Sequence, residues 1–321
     1  MLYPLTFNPI FKDRVWGGRR LEQLYHKPLP PGVPIGESWE ISDRPGDVSV
    51  IANGPLAGKD LHWVLENHTR ELLGKRVPHA GRFPLLIKIL DAQEKLSLQV
   101  HPPASKAAAL GGEPKTEMWY IADAQPGADL YVGLRRGATR EEFEARLKSG
   151  TVADCFHRLE VKAGDTMFLP SGRVHAIGSG LVIFEIQQNS DTTYRVFDWN
   201  RVGLDGKPRE LHIPQSLESI DFQDFEPALV SSLCSGNGPE KVRPLVADPL
   251  FNVSASTLAA GATAGTAAGN MLIIGLLKGR LTVQHPTQPV TLQPGDFCLL
   301  PASIDAVTLK ADTAAEFLRV E

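Results

Sequence analysis

With 321 residues, 42% of them hydrophobic, the chain is long enough for one large or two modest domains, and the composition argues against global disorder. A net charge of −4 leaves no electrostatic footprint for nucleic acid or an anionic membrane, so any anion site has to come from a few placed cations. Three widely spaced cysteines, Cys155, Cys234 and Cys298, fit neither a disulfide framework nor a zinc knuckle and favour a reducing, cytoplasmic compartment; no leader peptide or membrane span is evident.

Glycine and proline punctuate short apolar runs throughout, which predicts a mainly β chain with a few short helices. In chain order, a strand is expected over 38–42. A helix over 61–73 follows, capped by Asp60 and stopped by Gly74, with Leu61, Val64, Leu65, His68 and Leu72 on one face. Strands come next over 85–90 and 95–100, then an Ala-rich short helix within 103–110, then strands over 116–122 and 130–133. Thr139 with Glu142 reads as a capping box for a helix with Phe143 and Leu147 buried and Gly150 ending it. Further strands are expected over 166–169, 181–187 and 193–199.

The stretch from Val161 to Pro170 resembles that from Leu292 to Pro301, each a Gly-Asp turn feeding an apolar run that ends at proline. The first copy continues to His175; in the second, Ala306 takes that place. The repeat predicts two related β-barrels. Residues 1–222 would form a metal-bearing catalytic unit, its N-terminal strands free to pair with the other barrel. Residues 223–248 would form a connection, and 249–321 a degenerate second barrel. The Gly/Ala/Thr-rich segment 259–269 reads as a mobile loop.

One constellation carries chemistry. In a strand, alternate residues share a face, so Ser97, Gln99 and His101 lie opposite Leu96, Leu98 and Val100. Lys115 and Glu117 share a face on the next strand, and His175 ends a loop in which Gly172 gives the backbone freedom. Gln99, His101, Glu117 and His175 together suit one divalent metal, zinc first, with room for water or substrate. Taken singly, each could be an ordinary half-buried polar residue; it is the set that argues. The other histidines, 26, 62, 68, 79, 157, 212 and 285, have no such support, and His68 reads as a packing residue.

The loop Gly164-x5-Pro170-x-Gly172-x2-His175 is similar to the second signature of the cupin superfamily, with Ser179 where that signature ends in Asn. The first signature is looser: Gln99-x-His101 stands where His-x-His is usual, and Glu117 lies farther along. Further stretches are Lys115-Thr-Glu-Met-Trp-Tyr120, Pro170-Ser-Gly-x-Val-His-Ala176 and Gln188-Asn-Ser-Asp-Thr-Thr-Tyr-Arg195. With Phe11-Lys-x-x-x-Trp-Gly-Gly18, Gly36-Glu-Ser-Trp39 and Arg209-Glu-Leu-His212, they resemble the type I phosphomannose isomerases in their short bacterial form. The likeness is dense over the first two thirds of the chain and weak beyond.

That resemblance implies two cupin-like jelly-roll barrels and an isomerase acting on mannose 6-phosphate and fructose 6-phosphate. It implies one zinc per chain, held by Gln99, His101, Glu117 and His175; no obligate protein partner is evident from the sequence. It gives Arg195 a catalytic role, sets Ser97, Lys88 and Lys115 by the phosphate or pocket floor, and puts Glu185 near the sugar. Such a reaction needs an electrophile, a proton-transferring group and a phosphate anchor. Lys88 interrupts the apolar face of Leu86 and Leu90, which is costly unless an anion is near or the lysine snorkels. Lys115 could instead be a solvated loop lysine, Ser97 a plain strand serine, and Arg195 a salt-bridge partner of Asp191 or Asp198. For proton transfer, Glu185 has rivals in Lys115 and a metal-bound water. Two other readings stay open: a sugar-phosphate-binding cupin without turnover, and an iron(II) oxygenase using His101, Glu117 and His175.

Overall fold

Two neighbouring strands buried on both faces, Leu85–Ala92 and Leu181–Gln188, organise the N-terminal half. Burial on both sides is why they read as near-continuous apolar runs rather than alternating ones. The structure, a computed structural model, describes residues 2–76, 81–236 and 238–321, so His79 lies outside the described residues. The two strands sit at the centre of a six-stranded antiparallel sheet in the order Ile10–Gly18, Ile35–Ile41, Leu85–Ala92, Leu181–Gln188, Glu117–Ala124, Thr166–Leu169. A five-stranded sheet accompanies it, in the order Tyr194–Phe197, Leu98–Val100, His175–Ile177, Asp129–Leu134, Phe156–Glu160.

Parity along Leu181–Gln188 decides what each face does. Val182, Phe184 and Ile186 point into a core shared with the C-terminal half, together with Ile273, Leu299, Leu318 and Val320. Leu181 and Ile183 point the other way, into a second core with Leu130, Val132 and Ile177 from the five-stranded sheet. Burying each such side chain stabilises the fold by roughly 2 kcal/mol relative to exposure. Further along that inner face, Glu185 and Gln187 replace the aliphatic residues, and there the apolar core gives way to a polar cavity.

The C-terminal half repeats the plan. A five-stranded sheet, Glu240–Ala247, Asn252–Leu258, Ala315–Val320, Leu272–Lys278, Phe297–Leu300, accompanies a four-stranded one, Thr263–Gly265, Thr308–Ala311, Leu281–Gln284, Val290–Leu292. Near the N-terminus the chain crosses over to it: Leu5 and Leu299 exchange both backbone hydrogen bonds at 2.8 Å.

Several sequence expectations shift. The stretch expected as connection, 223–248, ends in the strand Glu240–Ala247, whose Leu245 and Val246 are buried in the shared core. The segment expected as a mobile loop, 259–269, contains the strand Thr263–Gly265, paired with Thr308–Lys310; small residues suit this close pairing. The expected strand over 193–199 stops at Phe197, because Trp199 and Asn200 take φ of 57° and 55° and turn the chain sharply. The Ala-rich helix is only Ala104–Ala107. The helix Leu61–Leu73 is capped by the Asp60 carboxylate, which accepts from the Trp63 N–H at 2.7 Å. His68 is half-buried rather than packed in the core: its backbone breaks helical geometry, at φ −140°, and its ring is held by Glu71 at 3.2 Å. The Thr139 hydroxyl accepts from the Glu142 N–H at 3.1 Å, opening the helix Arg140–Ser149, and Gly150 closes it at φ 73°.

Candidate metal centre and active-site cavity

Cross-strand register gathers the site. Gln99 lies opposite His175 on one side and Arg195 on the other, making one row across the five-stranded sheet. In the six-stranded sheet Glu117 lies opposite Leu169 and Gln187. His101 follows directly on Gln99's strand. Ligand atoms of His101, Glu117 and His175 lie within 4.8 Å of one another, and all three residues are essentially fully buried.

Both imidazoles are held in one tautomer. His101 Nδ1 donates to the Thr192 carbonyl at 2.8 Å and His175 Nδ1 to the Arg173 carbonyl at 2.9 Å. Each Nε2 is left with its lone pair aimed inward, the arrangement that orients metal-binding histidines. His101 Nε2 sits 3.5 Å from Glu117 Oε2, and His175 Nε2 sits 3.3 Å from Glu117 Oε1. The Gln99 amide is 3.3 Å from His175 Nε2; half a turn of its terminal bond presents Oε1 to the same point. Lys115 Nζ lies 2.9 Å from Glu117 Oε2, an ion pair off the direction of a hydrogen bond. His101 Nε2 and both Glu117 oxygens are buried without a hydrogen-bond partner among the described residues. Buried acceptors are normally satisfied, and a convergent set that is not has room for a cation. The residues therefore fit a metal: two imidazole nitrogens, one carboxylate and one amide oxygen.

Burial, helped by the nearby Lys115 charge, pushes the His101 imidazole down to about 4, and burial pushes His175 down as well. Both are therefore neutral, as ligation requires. Burial alone would raise Glu117, but the adjacent Lys115 charge holds it well below the usual carboxylate range.

Above this cluster opens a cavity of about 580 Å³. Each remaining residue singled out from the sequence, Ser97, Lys88, Lys115, Glu185 and Arg195, lines it, as does Gln99. Lys88 is 4% exposed, which removes the snorkelling alternative. Its Nζ lies 3.4 Å from Glu185 and 3.6 Å from Glu37, and 5.0 Å above the Trp39 ring. Glu185 also accepts from the Trp119 indole at 2.9 Å. Lys115 is buried, not a solvated loop lysine.

Arg195 differs from the other lining cations. The salt bridge to Asp191 or Asp198 is absent among the described residues; its guanidinium donates to the Glu210 carbonyl at 2.7 Å, and its buried Nε has no partner. Asp198 instead takes Arg201 and Arg209.

Sequence reasoning missed Glu37, which lines the cavity beside Lys88 and accepts from Arg14 at 2.8 Å and from the Trp39 indole at 2.6 Å. Burial opposes its charge, but Lys88, Arg14 and these two hydrogen bonds hold it at about 2. The signal in the sequence was the alternation that puts Glu37 and Trp39 on one strand face; that Trp39 pairs with Lys88 is set by register between distant strands. Arg209 was quoted only within a motif, yet it lines the same cavity.

Among the described residues, no helix is long and apolar enough to cross a membrane. A family model described as the catalytic domain of type I phosphomannose isomerase matches residues 5–127. Mannose-6-phosphate isomerase of Streptococcus mutans is 35% identical over 313 residues, which are 97% of this chain and 96% of that one. Mannose-6-phosphate isomerase ManA of Bacillus subtilis is 42% identical over 223 residues, 68% of each chain. The crystal structure of a mannose 6-phosphate isomerase from Bacillus subtilis superposes with a TM-score of 0.90 and 30% identity, covering both chains completely. That of the Salmonella typhimurium enzyme in its apo form, at 19% identity and a TM-score of 0.76, shares the fold over 100% of this chain and 99% of that one. Similarity that runs the length of the chain, through the strands that gather Gln99, His101, Glu117 and His175, shows that it belongs to the type I phosphomannose isomerase family.

Proposed function

We propose that the chain interconverts mannose 6-phosphate and fructose 6-phosphate as a zinc-dependent aldose–ketose isomerase, moving a proton between C1 and C2 through a cis-enediol. The observation that carries this is the group of partnerless buried atoms, His101 Nε2 and both Glu117 oxygens, facing His175 beside a cavity walled by paired and unpaired cations. Zinc bound by Gln99, His101, Glu117 and His175 would supply Lewis acidity toward a substrate oxygen.

The side chains around it divide the remaining work. Glu185 lines the cavity with a carboxylate oxygen free of the Trp119 indole and is our choice for the proton-transferring group. Lys88, 3.4 Å from it, holds its charge in place while Ser97 offers a hydroxyl to the substrate. Lys115, paired with Glu117, adds positive charge on the side where an enediolate oxygen would develop. Arg195, which has no carboxylate partner among the described residues, is suited to the substrate's phosphate or to the developing oxyanion. Closed around a sugar, these groups exclude water from the enediol. Three free cysteines, two of them buried, fit a reducing, cytoplasmic setting.

An assay coupling fructose 6-phosphate formation to a reporter enzyme tests this reading. Activity on mannose 6-phosphate should vanish on chelation and return with zinc. Binding without turnover would favour the sugar-phosphate-binding cupin, and oxygen uptake with iron(II) the oxygenase.

A further inference from the structure

Asp198 is placed as no simple surface carboxylate would be. It is 5% exposed. Both its oxygens are taken by guanidinium groups: Arg209 Nε donates to Oδ2 at 2.7 Å, and Arg209 Nη2 to Oδ1 at 2.5 Å. Arg201 approaches Oδ1 from the other side at 3.1 Å through Nε. Immediately after it the backbone turns through Trp199 and Asn200, both at positive φ, an arrangement persisting only where surrounding contacts hold it. The Trp199 indole donates to the Leu96 carbonyl at 2.7 Å, fixing that turn. The chain then runs out and back, with Gly203 N–H donating to the Lys207 carbonyl at 2.7 Å, and returns Arg209 to the strand it left.

This excursion borders the cavity. Gly203, Leu204, Asp205 and Arg209 line it, as Arg195 does. Arg195 and Arg209 line the same cavity, and burial, with the positive charge of Arg209 and Arg201, pulls the Arg195 guanidinium down from its ordinary value. Two guanidinium groups share the Asp198 carboxylate and Arg195 has none, so Arg195 and the free edge of Arg209 present donors that an arriving dianion would take up.

We propose that Asp198 is a positioning residue: by binding Arg201 and Arg209 it holds Arg209 against the cavity wall and leaves Arg195 unpaired, so that Arg195 and Arg209 together meet the substrate's phosphate. The inference rests on the sugar-phosphate reading above and adds Arg209 as the second cation. Arg209 satisfies Asp198 through Nε and Nη2, leaving Nη1 for an anion, so the pair forms a fork on a fixed base rather than a flexible contact.

The test uses calorimetric binding of a hexitol 6-phosphate, which cannot be isomerised, beside the unphosphorylated hexitol, on the zinc-loaded parent, Asp198→Asn and Arg209→Met. Hexitol 6-phosphate affinity should fall about tenfold or more in each variant, on the scale of a lost charge-assisted hydrogen bond, with metal content unchanged. The Michaelis constant for mannose 6-phosphate should rise more than kcat falls. A staple that only closes the loop would lower the melting temperature of Asp198→Asn and leave hexitol 6-phosphate binding at the parental value; that result overturns the proposal. Should Asp198→Asn fail to fold, Arg209→Met carries the test, since Arg201 still satisfies the carboxylate. A parent that binds hexitol 6-phosphate through Asp198 and Arg209 without isomerising mannose 6-phosphate would overturn the isomerase reading and leave this inference standing.

Discussion

The turns at Gly164-Asp165 and Gly295-Asp296 are the same device used twice. In each, glycine takes a positive φ, 92° and 86°, and donates to a carbonyl of the neighbouring strand at 2.8 Å, Ile121 in one and Leu276 in the other. In each, the aspartate side chain accepts from the N–H three residues before it at 2.9 Å, from Lys162 and from Gln293. In each, the strand that follows pairs antiparallel with the same partner in the plan: Leu169 lies opposite Glu117, and Leu300 opposite Leu272. The backbone is thus duplicated while the side chain at the decisive position is not. Where the N-terminal half buries a carboxylate, the C-terminal half buries a leucine within an apolar cluster that includes Ile274, Val283 and Leu309. The scaffold is set by turns and pairing, and the chemistry by a few inward positions on it.

Making the first half like the second should break the function outright. Glu117→Leu should lose bound metal and lower turnover by roughly three orders of magnitude or more, as loss of a group that stabilises developing charge implies. It should also destabilise the fold by about 3–5 kcal/mol, because Lys115 is left buried and unpaired. Adding Lys115→Met should restore much of that stability without restoring activity. Metal analysis, the coupled assay and urea titration read all three quantities, and a metal-free variant that still turns over would end the metal assignment.

Arg195→Ala has no counterpart in the other half. It should keep its metal and lose about two to three orders of magnitude in turnover, the cost of removing one preorganised donor. Parental turnover would take Arg195 out of the mechanism.

Acid should expose the polar half before the apolar one. Glu37, ordinarily near 4.5, is held at about 2 in the folded protein, so its ionised form favours folding at neutral pH. A depressed carboxylate contributes stability that is present above its unfolded value and lost as pH falls through the folded value. The contribution, at most roughly 3 kcal/mol, should fade between about pH 4.5 and pH 2. Glu37→Gln should flatten that part of the stability–pH profile; an unchanged slope would mean that other carboxylates carry it.

The smallest effect sharpens the likeness. Asp165→Ala and Asp296→Ala each remove one side-chain-to-backbone hydrogen bond and should each cost about 1 kcal/mol by urea titration. Only Asp165→Ala should also disturb metal affinity, because its strand pairs with that of Glu117. Equal effects on metal binding would show that the two halves are coupled more tightly than their shared core suggests.

The sequence by itself showed where many of the elements fall and which residues form the candidate ligand set. Alternation in Ser97-Leu98-Gln99-Val100-His101 shows which side chains share a face without any knowledge of what that face meets. The capping residues Asp60 and Thr139 and the two Gly-Asp turns act over three or four positions and are legible for that reason. Tertiary structure alone decided the pairings between distant stretches. Lys88 could be recognised as a charge on an apolar face, but that Glu37 and Glu185 both answer it depends on three strands lying side by side. Arg195 could be expected to seek a carboxylate within a few residues, yet Asp198 is claimed by Arg201 and Arg209, the latter returning after a turn at Trp199 and Asn200. Local hydrogen bonds and side-chain parity are written in neighbouring residues, whereas the competition of several cations for one buried carboxylate is settled only when the folded chain brings them together.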